Sequence, residues 1–227
     1  RNEQLIRLVK NTGAAVISVN QVGGFNDILF DGQSIAMNSK GQITAQLQAF
    51  EEHVTHISFS KPVQKPTESM EETLLNAISF GLKEYLAHTG FNSVLIGLSG
   101  GIDSALVAAL AVHALGPKHV TLVTMPSVYN SKATKEDAIL MAQNLGCHLI
   151  NQSIEAYRQQ IESEMPSVLN ETLSNITKQN IQSRLRGLIL MTISNQLSAL
   201  LLTTGNKSEL AMGYATLYGD MNGGLNI

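Results

Sequence analysis

The chain has 227 residues, of which 44% are hydrophobic and 15% charged, and its net charge is −3. This composition excludes intrinsic disorder, and the negative balance argues against a nucleic-acid-binding surface. No apolar run approaches the ~18 residues that would cross a membrane, and the single Cys147 excludes an internal disulfide and fits a reducing cytoplasm. The chain opens on Arg1 and closes on Gly223-Gly224-Leu225-Asn226-Ile227, so an internal piece of a longer protein is expected.

Residues 1–60 read as short elements rich in strand. Asn2 to Lys10 predicts an amphipathic helix with Leu5, Leu8 and Val9 on one face, and residues 14–20 a buried strand. Gly23-Gly24 is expected to break the chain. Ile28 to Phe30 and Ser34 to Met37 predict two strands joined by an Asp31-Gly32 turn, followed by a strand over Gln42 to Leu47. A last strand is expected over Val54 to Phe59, with Ile57 and Phe59 on one side. So many strands in so short a stretch cannot easily close a core alone, and the segment reads as the tail of a larger domain. Residues 61–67, with two prolines and two lysines, read as a linker.

From residue 68 the pattern alternates. Ser69-x-x-Glu72 is a capping box opening a helix that Gly90 stops. Val94 to Leu98 predicts a strand, Ala105 to Leu115 a helix, His119 to Met125 a strand, and Thr134 to Leu145 a helix. Cys147 to Ile150 predicts a strand, Ser153 to Ser163 a helix, Asn175 to Leu197 a long helix, and Ala199 to Thr203 a strand. Such alternation predicts an α/β domain with a parallel sheet and helices on both faces, in which ligands bind at the carboxyl ends of the strands. Three polar clusters fall at those ends, at 99–104, 125–131 and 204–209.

The first cluster, Ser99-Gly100-Gly101-Ile102-Asp103-Ser104, sits between a strand and a helix. Two glycines permit positive φ and close approach of backbone to a ligand, and a helix N-terminus favours an anion, so phosphate is the expected occupant. No Lys follows the second glycine and there is no G-x-G-x-x-G, which excludes the common nucleotide loops. On the long helix, Asn180 and Arg184 lie four apart and share a face, with Arg186 close by, so an amide and a guanidinium could reach one ligand or form a solvated face. The histidines at 53, 56, 88, 113, 119 and 148 have no metal-ligand spacing and read as surface or packing residues. Cys147, after Leu145-Gly146, reads as a small buried hydrophobe rather than a nucleophile.

The S-G-G-x-D-S run resembles the pyrophosphate loop of the ATP pyrophosphatases, which gives the second domain its expected fold, an α/β Rossmann-like parallel sheet. Thr203-Thr204-Gly205-Asn206-Lys207-Ser208-Glu209 and Gly213-Tyr214-Ala215-Thr216-Leu217-Tyr218-Gly219-Asp220 resemble the more specific signature of the NAD synthetase family, in its glutamine-dependent form. Residues 19–24, 30–34 and 50–52 resemble the C-terminal part of a nitrilase-type amidase domain, itself an α/β sandwich. The organisation implied is 1–60 as the end of a glutaminase, 61–67 as linker and 68–227 as an incomplete synthetase domain.

The resemblance implies adenylation of the nicotinate carboxylate of deamido-NAD by ATP, release of pyrophosphate, and displacement of AMP by ammonia from glutamine. Gly97, Leu98, Ser99, Gly100, Gly101, Ile102, Asp103 and Ser104 would line the triphosphate, with Met125 and Thr204 also on ATP. Asn180, Arg184, Tyr214 and Asp220 would bind deamido-NAD. Asp103 and Glu209 would be the carboxylates linked to magnesium, and Glu209 stays open between metal and deamido-NAD. The family's glutaminase Glu, Lys and Cys lie upstream of these residues, and an Asp-x-x-Lys segment lies beyond Gly224, so this piece alone is expected to be nearly inactive. Asn130, where the family usually has Ser, and Lys178-Gln179, where it often has two Glu, put local substrate contacts in question. A homo-oligomer in the cytoplasm, with no nucleic-acid or membrane partner, is the implied setting. Another amidotransferase with the same loop, such as one resembling GMP synthetase, and a non-catalytic nucleotide-binding module are the alternatives.

Overall fold

The structure is a computed structural model and describes residues 2–25, 28–63, 68–128 and 132–227, without the side chains of 132, 133 and 135. Tyr129, Asn130 and Ser131, from the second polar cluster, and residues 64–67 of the expected linker lie outside the described residues. The chain divides into two compact units, Arg1–Tyr85 and Leu86–Ile227, a division inside a helix and later than the 61–67 linker read from the sequence.

In the first unit, α1 (Asn2–Thr12) is followed by β1 (Val16–Ser18), β2 (Val22–Phe25), β3 (Ile28–Asp31), β4 (Ile35–Met37) and β5 (Ile43–Gln46). Leu5, Ile6 and Val9 of α1 pack on Ile35 and Met37. Leu8, expected on that face, is instead exposed. Gly23-Gly24 does not break the chain but lies within β2, opposite Phe30 and Leu29 of β3. The expected hairpin across Asp31-Gly32 does not form. β3 pairs with β2, whereas β4 pairs antiparallel with β1 and β5. Gly32 (φ +65°) and Gln33 (φ +47°) turn the chain from one sheet into the other.

Residues 54–59 form no strand, and Val54 is fully exposed. Alternation alone makes no strand when no neighbouring strand takes up the N–H and C=O groups. The unit closes with α2 (Met70–Thr89). Its capping box is formed as expected, with Ser69 N donating to Glu72 Oε2 (2.9 Å) and Glu72 N to Ser69 Oγ (3.1 Å). Within the unit, Phe80 of α2 meets Phe50 with ring centroids 5.2 Å apart, and Glu84 Oε2 accepts from Gly24 N. These contacts explain why most of α2 belongs with the strands before it.

The second unit holds β6 (Val94–Gly97), α3 (Ile102–Leu115), β7 (Val120–Thr124), α4 (Lys132–Leu145), β8 (His148–Asn151), α5 (Glu155–Leu169), α6 (Asn175–Leu197), β9 (Leu200–Thr203), α7 (Lys207–Met212) and β10 (Leu225–Asn226). Its five strands are parallel in the order β10-β9-β6-β7-β8. The strands alternate sides, as the pleat requires. Leu95, Val123 and Leu201 join Leu185, Ile189 and Ile193 of α6 in one core. Val94, Ile96, Leu122, Leu200 and Leu202 are buried as well. Near-continuous apolar strands of this kind suit a parallel sheet covered on both faces. α3 packs on β6 and β7, α4 on β7 and β8, and α6 on β6 and β9.

Several details differ from the sequence expectation, among them α3, which begins at Ile102 rather than Ala105, and α5, which covers Glu155–Leu169 where Ser153 to Ser163 was expected. α4 begins at Lys132, two residues before the expected start at Thr134. Cys147 precedes β8 rather than starting it. α7 and β10 were not expected, since a six-residue helix and a two-residue strand leave too little periodicity to read.

Candidate active site

From β6 the chain runs outward to β7 and β8, then returns to place β9 on the other side of β6. The strand order therefore reverses beside β6. Loops leaving β6 and β9 diverge there and open a crevice at the carboxyl ends of the strands. A cavity of about 360 Å³ occupies that place. Gly97, Leu98 and Ser99 line it from the end of β6, Thr124, Met125 and Pro126 from β7, and Thr203 and Thr204 from β9. A second cavity, of about 400 Å³, is lined by Asp103, Ser104, Glu209 and Tyr214. Ser99, Thr203, Thr204 and Asp220 line both cavities.

The loop between β6 and α3 is held by its own side chains. Ser99 N donates to Ser104 Oγ (3.2 Å), the two hydroxyls lie 3.0 Å apart, Gly101 N donates to Ser99 Oγ (3.1 Å), and Ser104 Oγ donates to Gly101 O (3.1 Å). Its two serines are thus brackets for the turn. Of the two glycines, only Gly100 has positive φ (+85°), and a Cβ there would collide with the backbone oxygen of Thr134 in α4. Gly101 is extended, at φ −90°. Gly100, Gly101 and Ile102 line neither cavity, and Ile102 is exposed.

One side of α6 faces the first cavity with Ser183, Arg186, Gly187 and Leu190, a spacing that forms a single helix stripe. Burial lowers the pKa of the Arg186 guanidinium. The adjoining stripe carries Asn180 and Arg184, and residues 214–222 of the same chain cover it. Thr216 Oγ1 donates to Asn180 Oδ1 (3.0 Å), Arg184 Nε to Leu217 O (3.2 Å), and Asp220 N to Ser183 Oγ (3.0 Å). The approach is close because two glycines permit it. A Cβ on Gly187 would strike Asn222, Gly219 and Tyr218, and one on Gly219 would strike Ser183. Asn180 and Arg184 therefore do share a face, as their spacing indicated, but line neither cavity. Arg186, two residues on, is the arginine that does. Thr124, Thr134, Ser183 and Asn222 also line the first cavity without a sequence signal of their own.

The carboxylates have structural partners too. Asn206 and Glu209 form a capping box at α7, with Glu209 N donating to Asn206 Oδ1 (2.9 Å) and Asn206 N to Glu209 Oε2 (3.2 Å). Asp220 Oδ1 accepts from Thr216 N (2.7 Å). Asp103 is exposed at the start of α3. Among the described residues no three His, Cys, Asp or Glu side chains gather as a metal site, and no helix is long and apolar enough to cross a membrane.

The loop after β7 is tied down by the start of α5. Ser153 Oγ donates to Pro126 O (3.1 Å) and Val128 N to Glu155 Oε2 (3.5 Å). Glu155 is bound in turn by Arg158, whose guanidinium also holds Glu162. The Arg158 hydrogen bond brings the Glu155 carboxyl down to about 2. Away from the site, burial pushes the Cys147 thiol up, which disfavours the thiolate a nucleophile needs.

The family model described as NAD synthase matches residues 74–227. A glutamine-dependent NAD(+) synthetase of Rhodobacter capsulatus is 46% identical over 228 residues, covering 96% of this chain and 41% of that protein. The solved glutamine-dependent NAD+ synthetase of Acinetobacter baumannii, in complex with adenosine diphosphate, aligns with 100% of this chain and 44% of its own at a TM-score of 0.91 and 35% identity. An NH3-dependent NAD synthetase of Campylobacter jejuni, in complex with nitrate, covers 68% of this chain and 65% of its own at a TM-score of 0.62 and 30% identity. The chain thus spans about two fifths of the length of the curated relatives it matches. A family match across the whole second unit, together with a parallel sheet whose strand ends converge on one crevice, leads to one conclusion: this chain belongs to the NAD synthase family.

Proposed function

We propose that this chain contributes the ATP-dependent amidation of deamido-NAD to NAD, with ammonia drawn from glutamine in the whole protein. The observation that carries this reading is the convergence of Gly97–Ser99, Met125 and Thr204, from three strand ends, on one cavity that adjoins a second. Two neighbouring cavities with common walls suit two nucleotides that must react with each other.

The nicotinate carboxylate attacks the α-phosphorus of ATP and pyrophosphate leaves. Ammonia then attacks the acyl carbon and AMP leaves. Met125 and Leu98 offer an apolar wall to the adenosine. Ser99 N and Gly101 N are taken by the loop's own serines, so the N–H groups offered to the phosphates are the first ones of α3, unpaired within the helix and beside the cavity that Asp103 and Ser104 line. Asp220 and Tyr214 line the part that would take deamido-NAD, and Asn180 and Arg184 would act on it by shaping residues 214–220. Asp103 and Glu209 line the same cavity and offer the oxygen donors magnesium prefers, often only one or two from protein. They fit that ion, with Glu209 giving one oxygen to α7. Bound there, magnesium would neutralise triphosphate charge. The rest of the rate enhancement comes from positioning and charge stabilisation.

We read residues 1–60 as the end of a nitrilase-type glutaminase, 61–67 as its linker, and 68–227 as the synthetase part. The glutamine-dependent relatives match between 92% and 100% of this chain, whereas the family model starts at residue 74, which supports that reading. A homo-oligomer in the cytoplasm is the proposed setting.

The test is isotope exchange between ATP and pyrophosphate in the full-length protein. Exchange that requires deamido-NAD, followed by NAD and AMP in equal amounts when glutamine or ammonium is added, is expected. Exchange driven instead by a substrate of the GMP pathway, or none with deamido-NAD, would overturn the reading.

A further inference from the structure

Arg186 is the one arginine on the cavity wall. Its neighbours Leu185 and Gly187 are buried, it is itself only partly exposed, and desolvation weakens its hold on its proton. Among the described residues it has neither an ion pair nor a hydrogen bond, although Asp220 lines the same cavity. The other arginines of α5 and α6 are engaged, Arg158 with two glutamates and Arg184 with the Leu217 carbonyl. A guanidinium partly withdrawn from water without a counter-ion costs free energy that a complementary anion would offset. The fork of N–H groups suits phosphate oxygens, which it can bind in bidentate fashion.

We propose that Arg186 binds the phosphoryl oxygens of a nucleotide held in the β6–β7–β9 crevice, and so is a phosphate-recognition residue of this site. The assignment rests on the reading of the cavity as a nucleotide site. It differs in kind from the backbone contacts of the 99–104 loop. The loop offers fixed partial charges, whereas Arg186 brings a full positive charge across the cavity from α6.

The test compares affinities for ATP, AMP, adenosine and deamido-NAD by calorimetry in the full-length protein and in Arg186→Met and Arg186→Lys. Met keeps the apolar stem and removes the charge, while Lys keeps the charge and removes the fork. Arg186→Met should weaken ATP, AMP or deamido-NAD on the order of 10- to 100-fold, with adenosine unchanged. Arg186→Lys should lose less. Loss for the adenosine phosphates alone, or for the dinucleotide alone, identifies which nucleotide brings the phosphate, and either supports the assignment. An unchanged ratio of ATP to adenosine affinity together with unchanged deamido-NAD affinity would overturn it, whatever happens to the melting temperature. Phosphate discrimination is read by binding alone, so a failed amidation assay would sink the proposed reaction without deciding the role of Arg186.

Discussion

At the scale of single residues, Gly100 shows how far a motif can be read. Its place in a strand-to-helix loop marked it, together with Gly101, as a position that permits positive φ, and of the two it alone has one, at +85°. The sequence could not reveal the second reason, the backbone of Thr134 standing where a Cβ would be. Gly100→Ala should therefore cost about 1–3 kcal/mol of stability, from left-handed backbone strain and the collision, measured as a fall in melting temperature. Wild-type stability in that variant would contradict the packing described. Arg184 and Arg186 mark the opposite limit. Two arginines two residues apart are both plausible ligands on helical spacing. What separates them is residues 214–222 lying over one stripe of α6, a long-range contact that local pattern does not encode. Gly187→Ala should displace those residues and weaken nucleotide binding more than it lowers helix stability, because alanine is by itself the better helix former.

At the scale of elements, α5 carries a pH-sensitive clasp. The Glu155 carboxyl, about 2 in the fold against an ordinary 4.5, binds its proton less readily folded than unfolded. Its stabilisation is complete above about pH 4.5 and is lost as pH falls toward 2. Acid unfolding should therefore be steeper with Glu155 than in Glu155→Gln, a comparison that circular dichroism across pH 2–5 would make. Equal acid limbs would remove Glu155 from the clasp. For α6, whose N-cap Ser174 accepts from Thr177 N (3.2 Å), Ser174→Ala should cost ~1 kcal/mol in chemical unfolding.

The long helices and the buried strands were legible because their periodicity runs over many residues. The expected strand at 54–59 failed because alternation identifies a candidate strand without identifying its partner. The expected β3–β4 hairpin failed for a related reason. An Asp-Gly pair marks a turn, but not whether the strands on either side pair with each other or with different sheets.

At the scale of the molecule, the two compact units divide within α2, later than the change of pattern along the chain at residues 61–67. The strand order of the second unit was only partly legible. Alternating strands and helices imply a parallel sheet, but the return of β9 to the far side of β6 is a tertiary choice. That choice brings residues 97–99, 124–126 and 203–204 to one crevice. A ligand of the crevice should stabilise the fold by mass action, by ~2.7 kcal/mol at a concentration 100 times its Kd. Thermal unfolding with saturating ATP should show this as a raised midpoint, and the midpoint should stay put with sodium chloride at equal ionic strength.

Ser99, Thr203, Thr204 and Asp220 belong to the walls of two cavities at once. Any two ligands held there together form part of each other's surroundings, so neither has an affinity of its own. If the first tightens the second by some factor, the second must tighten the first by the same factor. A substitution in a common wall moves both binding curves and the coupling between them. Its effect has to be read from four measurements, each ligand alone and each in the presence of the other.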